Sequence, residues 1–292
     1  MNQRETIHSQ SEGNPRALRV LMYHRIVDDA DLCRAHWTSV HVRDFRRQLE
    51  CLDRWGFTTI TFDDYRLFLE GELNLPKKPV ILTFDDGYLD THQYAFPLLQ
   101  EFGMKAVVFV LGKRAVKTNV WDRPLGLPEA PLMDWQHIME MHVAGCEIGA
   151  HSMTHAKLST LPERAAWSEI ADSRTELEDL LNAPVLSFAY PYGVVDGRTK
   201  RMVEEAGYRI AYSVATGPAT FGNDAYEVRR TTIFSTTGVI GFGLRVLTPF
   251  HYYEWLRWRT KRTFVHPNGT QDGNWLPGWE QQHQHPQPIE TR

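Results

Sequence analysis

Short apolar runs alternate along the chain with longer segments in which apolar residues recur every three or four positions. The runs are typical of strands buried on both faces, and the longer segments are typical of amphipathic helices. The sequence predicts strands at residues 18–23, 58–60, 79–82, 106–111, 147–150, 186–189, 208–214 and 228–234. It predicts helices at residues 43–55, 88–102, 135–144, 162–181 and 199–206, a short helix that ends at Leu69, and a long loop at residues 112–132.

This alternation is the pattern of parallel βα units, which fold either as a barrel or as a doubly wound sheet. In a βα barrel the reactive groups lie at the carboxyl ends of the strands. Polar residues fall at those ends repeatedly, and the sequence therefore predicts the functional site there. These residues are His24, Asp85, Asp86, His151 and Tyr192.

Two adjacent carboxylates stand where a predicted strand ends and a predicted helix begins, in the run Thr83-Phe84-Asp85-Asp86-Gly87. Side chains alternate along an extended chain, so Asp85 and Asp86 leave the backbone in different directions. One of them can hold a metal while the other faces substrate or water, and a nearby cation would keep both ionised. The alternative is an ordinary helix start, with an N-cap and an acid that suits the helix dipole.

The same four residue types occur earlier, at Thr61-Phe62-Asp63-Asp64, where Tyr65 follows in place of glycine. A predicted strand and a predicted helix also flank this copy. We interpret Asp63 as the cap of the short helix that follows. The four residue types are the same in both copies, so any difference in function between them must depend on residues elsewhere in the chain.

A pair of histidines, His151 and His155, directly follows the predicted strand at residues 147–150. Two histidines four positions apart lie on one face if the turn is helical, and such a pair can chelate a metal. The alternative is a histidine pair that packs in the core or lies at the surface. The strand-end position favours a metal, because two histidines and one carboxylate form a catalytic shell with open positions.

The composition is that of an ordinary globular protein, with 42% hydrophobic and 23% charged residues in 292. The net charge of −4 gives no reason to expect a nucleic-acid partner. Cys33, Cys51 and Cys146 are odd in number and widely spaced, which predicts free thiols in a reducing compartment. Residues 1–14 lack the apolar stretch of a signal peptide, so we expect a cytoplasmic protein.

The chain divides into a disordered start at residues 1–16, one domain at residues 17–237, a helical extension at residues 238–265 and a disordered tail at residues 266–292. The extension is rich in aromatic and basic residues. Residues 244–262 are therefore candidates for contact with an anionic membrane surface. The alternative is a helix that packs on the domain, since the apolar residues are near helical spacing.

Residues 83–87 and 151–155 together resemble the motifs of the polysaccharide deacetylase family, also called NodB homology domains or carbohydrate esterase family four. The resemblance covers roughly residues 18–234. It implies one α/β domain folded as a distorted (β/α) barrel of about seven strands. It also implies a metal-dependent hydrolase that removes acetyl groups from N-acetylated sugars of a polysaccharide or its precursor. The implied cofactor is one divalent ion, Zn²⁺ first, with Co²⁺, Ni²⁺ or Fe²⁺ as alternatives.

The resemblance assigns roles to four residues. Asp85 would be the catalytic base that takes a proton from the attacking water. Asp86, His151 and His155 would hold the metal, which polarises the amide carbonyl.

The third motif of the family, Arg-x-Pro followed by an aromatic residue, is only partly present. Pro191 and Tyr192 match, and the Tyr192 backbone N–H is implied as a donor to the oxyanion. The arginine that orients the base is absent from this stretch. Arg230 is a candidate replacement, although a surface side chain is the plainer interpretation of an arginine at that position.

The last motif of the family, an apolar alternation that ends in histidine, has no match after Phe234. Residues 20–24 match it at the opposite end of the chain. The chain therefore resembles a circularly permuted branch, like that of poly-N-acetylglucosamine deacetylases, in which the final strand comes first. His24 would then be the general acid for the leaving amine, and the alternative is a structural histidine.

Two rival functions remain open. One is a deacetylase of a lipid-linked or nucleotide-linked sugar, which the missing leader peptide favours. The other is a carbohydrate-binding pseudoenzyme, which would keep the barrel and lose a ligand or the base. Asp85, Asp86, His151 and His155 are all present, so a working deacetylase is the function that we expect.

Overall fold

The apolar run that begins at Pro79 forms the strand on which the sheet is organised. In the computed structural model, which describes residues 18–113, 115–214 and 224–249, this strand spans Pro79–Phe84 and is buried from Val80 onwards. Burial of both faces suits this strand, because it carries apolar side chains on both faces and no charged side chain that would need solvent.

The elements alternate as the sequence predicts. The strands are β1 (Arg19–Tyr23), β2 (Arg25–Val27), β3 (Ser39–His41), β4 (Thr58–Thr59), β5 (Pro79–Phe84), β6 (Val107–Val110), β7 (Glu147–Ala150), β8 (Ser187–Ala189), β9 (Ile210–Tyr212) and β10 (Thr231–Thr232). The helices are α1 (Ala30–Ala35), α2 (Val42–Arg54), α3 (Phe62–Leu69), α4 (Phe96–Glu101), α5 (Trp135–Val143), α6 (Glu163–Leu181), α7 (Gly197–Glu205) and α8 (Val239–Leu247). A π turn covers Thr91–Ala95, and 3₁₀ turns cover Val120–Leu125, Leu158–Thr160 and Pro191–Gly193.

The main sheet is parallel and runs in the order β10-β1-β5-β6-β7-β8-β9, with β4 beside the start of β5. After β9 the chain returns along the open side of the sheet. The Val228 N–H donates to the Ala211 carbonyl, and Thr231 pairs with Leu21 of β1. The sheet thus curls into the distorted (β/α) barrel of about seven strands that we expected, with seven strands in sequence across the sheet and the short β4 as an eighth.

Alternate residues of the strands face two separate cores. Ile81 of β5 and Phe109 of β6 belong to the cluster inside the barrel. Leu82 and Val108, one position along each strand, belong to the cluster beneath the surrounding helices. This alternation is the period of two that a strand imposes on its side chains.

The earlier Thr-Phe-Asp-Asp copy closes the amino end of the barrel. The Phe62 ring stacks on Tyr212 at 4.1 Å between centroids. The backbone N–H groups of Phe62 and Asp63 donate to the Glu147 carboxylate at 2.8 and 3.0 Å. Glu147 is the first residue of β7, so this copy lies at the end of the sheet opposite His151.

Asp63 is not the cap of α3, and that prediction is wrong. Thr61 is the N-cap. Its hydroxyl accepts from the Asp64 N–H, and the Asp64 carboxylate accepts from the Thr61 N–H. This reciprocal capping box satisfies two backbone donors at once. Asp63 lies in the first turn and pairs with Arg66 at 2.8 Å.

Most element boundaries are confirmed within one or two residues, and β7 agrees in full. Asp134 caps α5 as its position before the helix predicts, and it accepts from the His137 N–H. The helix expected at residues 88–102 begins with the π turn and becomes α-helical only from Phe96. Pro97 has no N–H to give to a preceding carbonyl, which is one reason for the irregular start. The strands expected at residues 208–214 and 228–234 are shorter, as β9 and β10.

Several predictions fall outside the described residues. These are the disordered ends at residues 1–16 and 266–292 and most of the extension, from residue 250 onwards. The described residues belong to one compact unit. The three cysteines are free, as predicted. None of the helices in the described part of the chain has the length and apolar character needed to cross a membrane.

Candidate active site

The expected metal ligands and base come together at the carboxyl end of the sheet. Asp85 and Asp86 follow β5, and His151 follows β7. The carboxyl ends of parallel strands meet at one edge, and only β6 separates these two strands. Asp85, Asp86, His151 and His155 are all buried.

Asp86, His151 and His155 form a ligand set. Asp86 Oδ1 lies 3.1 Å from His151 Nε2 and 3.3 Å from His155 Nε2, and it has no hydrogen-bond partner among the described residues. His151 Nδ1 lies 2.8 Å from the Ala189 carbonyl oxygen, so Nδ1 carries a proton and Nε2 is the ring nitrogen that faces Asp86. Two imidazole nitrogens and a carboxylate oxygen thus converge in a buried site. This is a set of donors that a divalent cation accepts, and the residues therefore fit a metal.

The segment from His151 to His155 is a turn, and the helical arrangement that we considered is wrong. Ser152 and His155 each have φ of 62°, in the left-handed region. Such conformations cost on the order of 1–3 kcal/mol each and persist where the surroundings fix them. Glu169 of α6 fixes this turn, because its carboxylate accepts from the Thr154 N–H and hydroxyl at 2.9 and 2.6 Å. The two imidazoles thus converge through backbone conformation.

A buried arginine holds Asp85. Arg230 donates to both carboxylate oxygens of Asp85 at 2.7 Å and to the Thr83 hydroxyl at 3.1 Å. Arg230 has no exposed surface, so its interpretation as a surface arginine is wrong. The rings of Phe109 and Tyr212 lie 5.5 and 5.8 Å from its guanidinium carbon. Burial raises the pKa of Asp85, but the charge of Arg230 outweighs burial and holds that pKa below its ordinary value.

Tyr192 follows β8 and borders the ligand set. It has φ of 58°, and its ring lies edge-on to His155 at 4.5 Å between centroids. The turn requires glycine at Gly193, where an added Cβ would lie 2.1 Å from a methyl group of Val214. The use of the Tyr192 N–H as an oxyanion donor stays a prediction.

Trp121 is a site residue that the sequence did not single out. Its ring stacks on His155 with centroids 4.3 Å apart and planes at 24°. His155 Nδ1 has no hydrogen-bond partner among the described residues, and the rings of Trp121 and Tyr192 pack against this imidazole. The loop at residues 112–132 stood out by its length, but nothing in its sequence connects Trp121 to a histidine 34 positions later.

The loop that carries Trp121 is tied to the barrel by hydrogen bonds. Asp122 accepts from the Tyr88 hydroxyl at 3.1 Å and from the Asn119 amide at 2.7 Å. Asn119 in turn accepts from the Ala130 N–H at 2.6 Å. These bonds fix the wall of the site from a segment with little regular structure.

His24 follows β1, the neighbour of β5 in the sheet. Tyr23 pairs with Phe84, and the Asp85 N–H donates to the Tyr23 carbonyl at 3.0 Å. His24 therefore stands beside Asp85 at the same edge of the sheet. Its ring contacts Trp37, with centroids 6.4 Å apart. The role of His24 as general acid and the permuted order of strands stay predictions.

A cavity of about 250 Å³ adjoins Asp86. Its walls come from the end of β6, the loop at residues 112–132 and the start of α5, and they include Lys113, Lys117 and Trp135. This volume is close to the lower end for small-ligand sites. The cavity therefore offers room for a small group of a substrate next to the ligand set.

Fold and site together define a βα barrel with a buried group at its strand ends, Asp86, His151 and His155, that could hold a divalent metal. The model of the family described as polysaccharide deacetylase matches residues 72–211. The putative polysaccharide deacetylase YxkH of Bacillus subtilis (strain 168) is 27% identical over 229 residues, which are 78% of this chain and 76% of that protein. The chain is therefore similar to the polysaccharide deacetylase family over these residues, and the names of that family and of the relatives indicate a carbohydrate N-deacetylase, a hydrolase of amide bonds.

Two further proteins are similar to this chain. The poly-beta-1,6-N-acetyl-D-glucosamine N-deacetylase of Escherichia coli (strain K12) is 24% identical, in a match that covers 84% of this chain and 41% of that protein. The structure of the Streptococcus pyogenes deacetylase PplD in complex with acetate has a TM-score of 0.67 and 24% identity, and it covers 78% of this chain and 97% of that one. The structural similarity supports the barrel fold.

Proposed function

We propose that this chain removes acetyl groups from N-acetylglucosamine units of a glycan, with one Zn²⁺ held by Asp86, His151 and His155. The single observation that carries the proposal is the orphaned Asp86 oxygen that faces two imidazole Nε2 atoms, directly beside the Asp85–Arg230 pair. A related enzyme that bears the name of such a glycan supports the choice of substrate.

Each side chain at the strand ends has a task in amide hydrolysis. Asp85 accepts a proton from the attacking water, and Arg230 keeps it ionised and oriented for that purpose. The Tyr192 backbone N–H donates to the oxygen that becomes negative. His24 donates a proton to the departing amine, which is too basic to leave as an anion.

The nature of the ligands favours zinc. One carboxylate and two imidazoles are common zinc ligands in catalytic sites that keep a position open. Co²⁺, Ni²⁺ and Fe²⁺ accept the same ligands, so metal replacement is part of the test. When bound, such an ion supplies a Lewis acid for the amide carbonyl and lowers the pKa of a water molecule.

Acetate release tests the proposal. Protein stripped with a chelator and reloaded with each metal is offered oligosaccharides of β-1,6-linked and β-1,4-linked N-acetylglucosamine. We expect release only from metal-loaded protein, and none from Asp85→Asn with its metal retained. A reloaded protein that binds these glycans but never releases acetate would establish the carbohydrate-binding pseudoenzyme instead.

One observation favours a second substrate class, a sugar linked to phosphate. Lys113 and Lys117 line the cavity beside Asp86, and neither forms an ion pair within the described part of the chain. Two such ammonium groups suit the phosphates of a nucleotide-linked or lipid-linked sugar. We expect a Lys113→Gln, Lys117→Gln double variant to raise KM for a phosphate-linked N-acetylated sugar and to leave KM for the neutral oligosaccharides unchanged.

A further inference from the structure

Helix α8 is apolar on nearly its whole circumference. Its nine residues read Val-Ile-Gly-Phe-Gly-Leu-Arg-Val-Leu, so Arg245 is its single polar side chain. A helix that is hydrophobic all round is normally buried. In this fold, however, only part of the surface of α8 is buried.

One face of α8 packs on the protein. Phe242 and Val246 are buried, and the Phe242 ring stacks on Trp55, which follows α2, at 6.3 Å between centroids. Gly243 lets Trp55 approach closely, because an added Cβ would lie 3.3 Å from the indole ring. This face accounts for the attachment of α8 to the barrel.

The opposite face carries three large apolar side chains in solvent, and we call it the α8 stripe. The exposed fractions are 83% for Ile240, 46% for Leu244 and 51% for Leu247. Positions 240, 244 and 247 follow one another along a single side of a helix. A contiguous apolar patch of this kind marks an interaction site, whereas scattered exposed apolar residues do not.

The sequence directly after α8 indicates what covers the stripe. Residues 250–262 contain five aromatic residues, four basic residues and one acidic residue, although the whole chain carries a net charge of −4. Tryptophan and tyrosine favour the interface between water and lipid, and arginine and lysine favour anionic headgroups. These residues are Phe250, Tyr252, Tyr253, Trp255 and Trp258, with Arg257, Arg259, Lys261 and Arg262.

We propose that the α8 stripe docks on an anionic lipid surface, a partner that the basic and aromatic composition of residues 250–262 favours. The nine residues of α8 are too few to cross a bilayer, so the helix lies in the plane of the surface with its stripe towards the lipid. The stripe supplies the apolar area, and an excess of basic over acidic residues in the sequence after α8 predicts a preference for negative headgroups. The proposal is independent of the deacetylase chemistry.

Vesicle co-sedimentation of the full chain tests this docking. The vesicles consist of phosphatidylcholine alone or of phosphatidylcholine with phosphatidylglycerol. We expect binding to the vesicles with phosphatidylglycerol, weaker binding to the neutral vesicles, and release at high salt. The variant Ile240→Glu, Leu244→Glu should lose roughly tenfold or more in affinity, because two large apolar side chains no longer enter the lipid.

Val143→Glu is the matched control, because Val143 is also a large apolar residue, 80% exposed, but lies at the end of α5. It should sediment like the unaltered chain, and both variants should hydrolyse a soluble substrate at the unaltered rate. Equal binding by the double variant would overturn the proposal, as would no binding by the unaltered chain. A double variant that loses thermal stability or splits a dimer, without any vesicle binding by the parent, would assign the stripe to protein contacts.

Discussion

Two neighbouring aspartates carry different chemistry because their surroundings differ. Asp86 has φ of 73°, which turns its carboxylate away from that of Asp85 and towards the two histidines. Asp85 directly follows strand β5, and its two carboxylate oxygens accept hydrogen bonds from the Arg230 guanidinium. A carboxylate that is held ionised by an arginine and not by the metal remains available to accept a proton.

Removal of Arg230 should damage both stability and turnover. Arg230→Gln leaves the Asp85 charge buried without a partner, which should cost about 3–5 kcal/mol in free energy of unfolding. We expect kcat to fall about 100-fold or more, measured on protein with full metal content. Arg229→Gln is the control, since the adjacent side chain is partly exposed, and it should change neither quantity.

A double variant separates the two effects of Arg230. Asp85→Asn together with Arg230→Gln removes both charges, so it should recover most of the lost stability without recovering activity. Chemical denaturation and acetate release measure the two outcomes. Full activity in Arg230→Gln would refute the role of Arg230 as the residue that positions the base.

Trp121 should control the affinity of the metal through His155. A ligating imidazole usually donates its second nitrogen to a polar partner, and loss of such a partner costs about 10–100-fold in metal affinity. The stacked indole replaces that partner here, so Trp121→Leu should weaken zinc binding about tenfold in competition with a chelator. Trp121→Phe should keep most of the affinity, and Trp167→Leu, on the surface of α6, should keep all of it.

His24 should matter only when the leaving group needs a proton. His24→Ala should retain its metal, measured by elemental analysis, and should lose about 10²–10⁴-fold in kcat on an acetamido sugar. An acetyl ester with a good leaving group should be hydrolysed nearly as fast as by the unaltered chain. His92→Ala, which removes a histidine paired with Glu140 on the surface, is the control. Equal losses on both substrates would argue for a structural role of His24.

At the scale of elements, the two Thr-Phe-Asp-Asp copies show how position decides function. Residues 83–86 stand at the carboxyl end of β5, where the loops of the barrel meet. Residues 61–64 begin α3 at the amino end, held by Glu147. The earlier copy therefore works as a capping box that closes the amino end of the barrel, and among the described residues its carboxylates belong to no group of three or more possible metal ligands.

Matched asparagine variants of the two copies should behave differently. Asp85→Asn should abolish acetate release and leave metal content unchanged. Asp63→Asn loses a half-exposed pair with Arg66, so it should leave kcat intact and cost about 1 kcal/mol or less in the free energy of unfolding. Comparable losses of activity in both variants would contradict the assignment of catalysis to the carboxyl end of the barrel and of a structural role to the amino end.

At the scale of the whole molecule, Glu147 joins three parts of the barrel at its amino end. It begins β7, accepts from the Ser187 hydroxyl of β8 at 2.6 Å and caps the first N–H groups of α3. Burial raises the pKa of Glu147 to about 7, and the hydrogen bonds it accepts offset that effect only in part. The closed end of the barrel therefore contains an acid that is protonated in the folded state up to neutral pH.

Stability should consequently depend on pH through Glu147. The folded protein retains a proton at Glu147 that the unfolded chain releases near its ordinary pKa, so the unfolded state binds fewer protons between about pH 4.5 and 7. The free energy of unfolding should fall as pH rises through that window. Glu147→Gln keeps the acceptor oxygen and a donor for Ser187 without the titration, so denaturant unfolding at pH 5 and pH 7 should show a smaller difference. Glu205→Gln, exposed on α7, should keep the parent's slope.

The sequence by itself determined the alternation of strands and helices and the position of the chemistry, and its pattern left a barrel and a doubly wound sheet open. Hydrophobic spacing is a local property, so the strands and helices could be predicted, and parallel βα units place their functional residues at the strand ends. The motifs at residues 83–87 and 151–155 predicted the ligand set and the base through their resemblance to those of the polysaccharide deacetylase family. The residues themselves carried this information, because each motif is contiguous.

Only the tertiary structure decided which distant side chains complete the site. Arg230 meets Asp85 across 145 positions of chain, and Trp121 meets His155 from a loop without periodic pattern. Both contacts follow from strand order and loop anchoring, which are non-local and leave no trace in the spacing of residues. The convergence of the two histidines likewise depends on left-handed backbone at Ser152 and His155, a conformation that the surrounding packing fixes against its local cost.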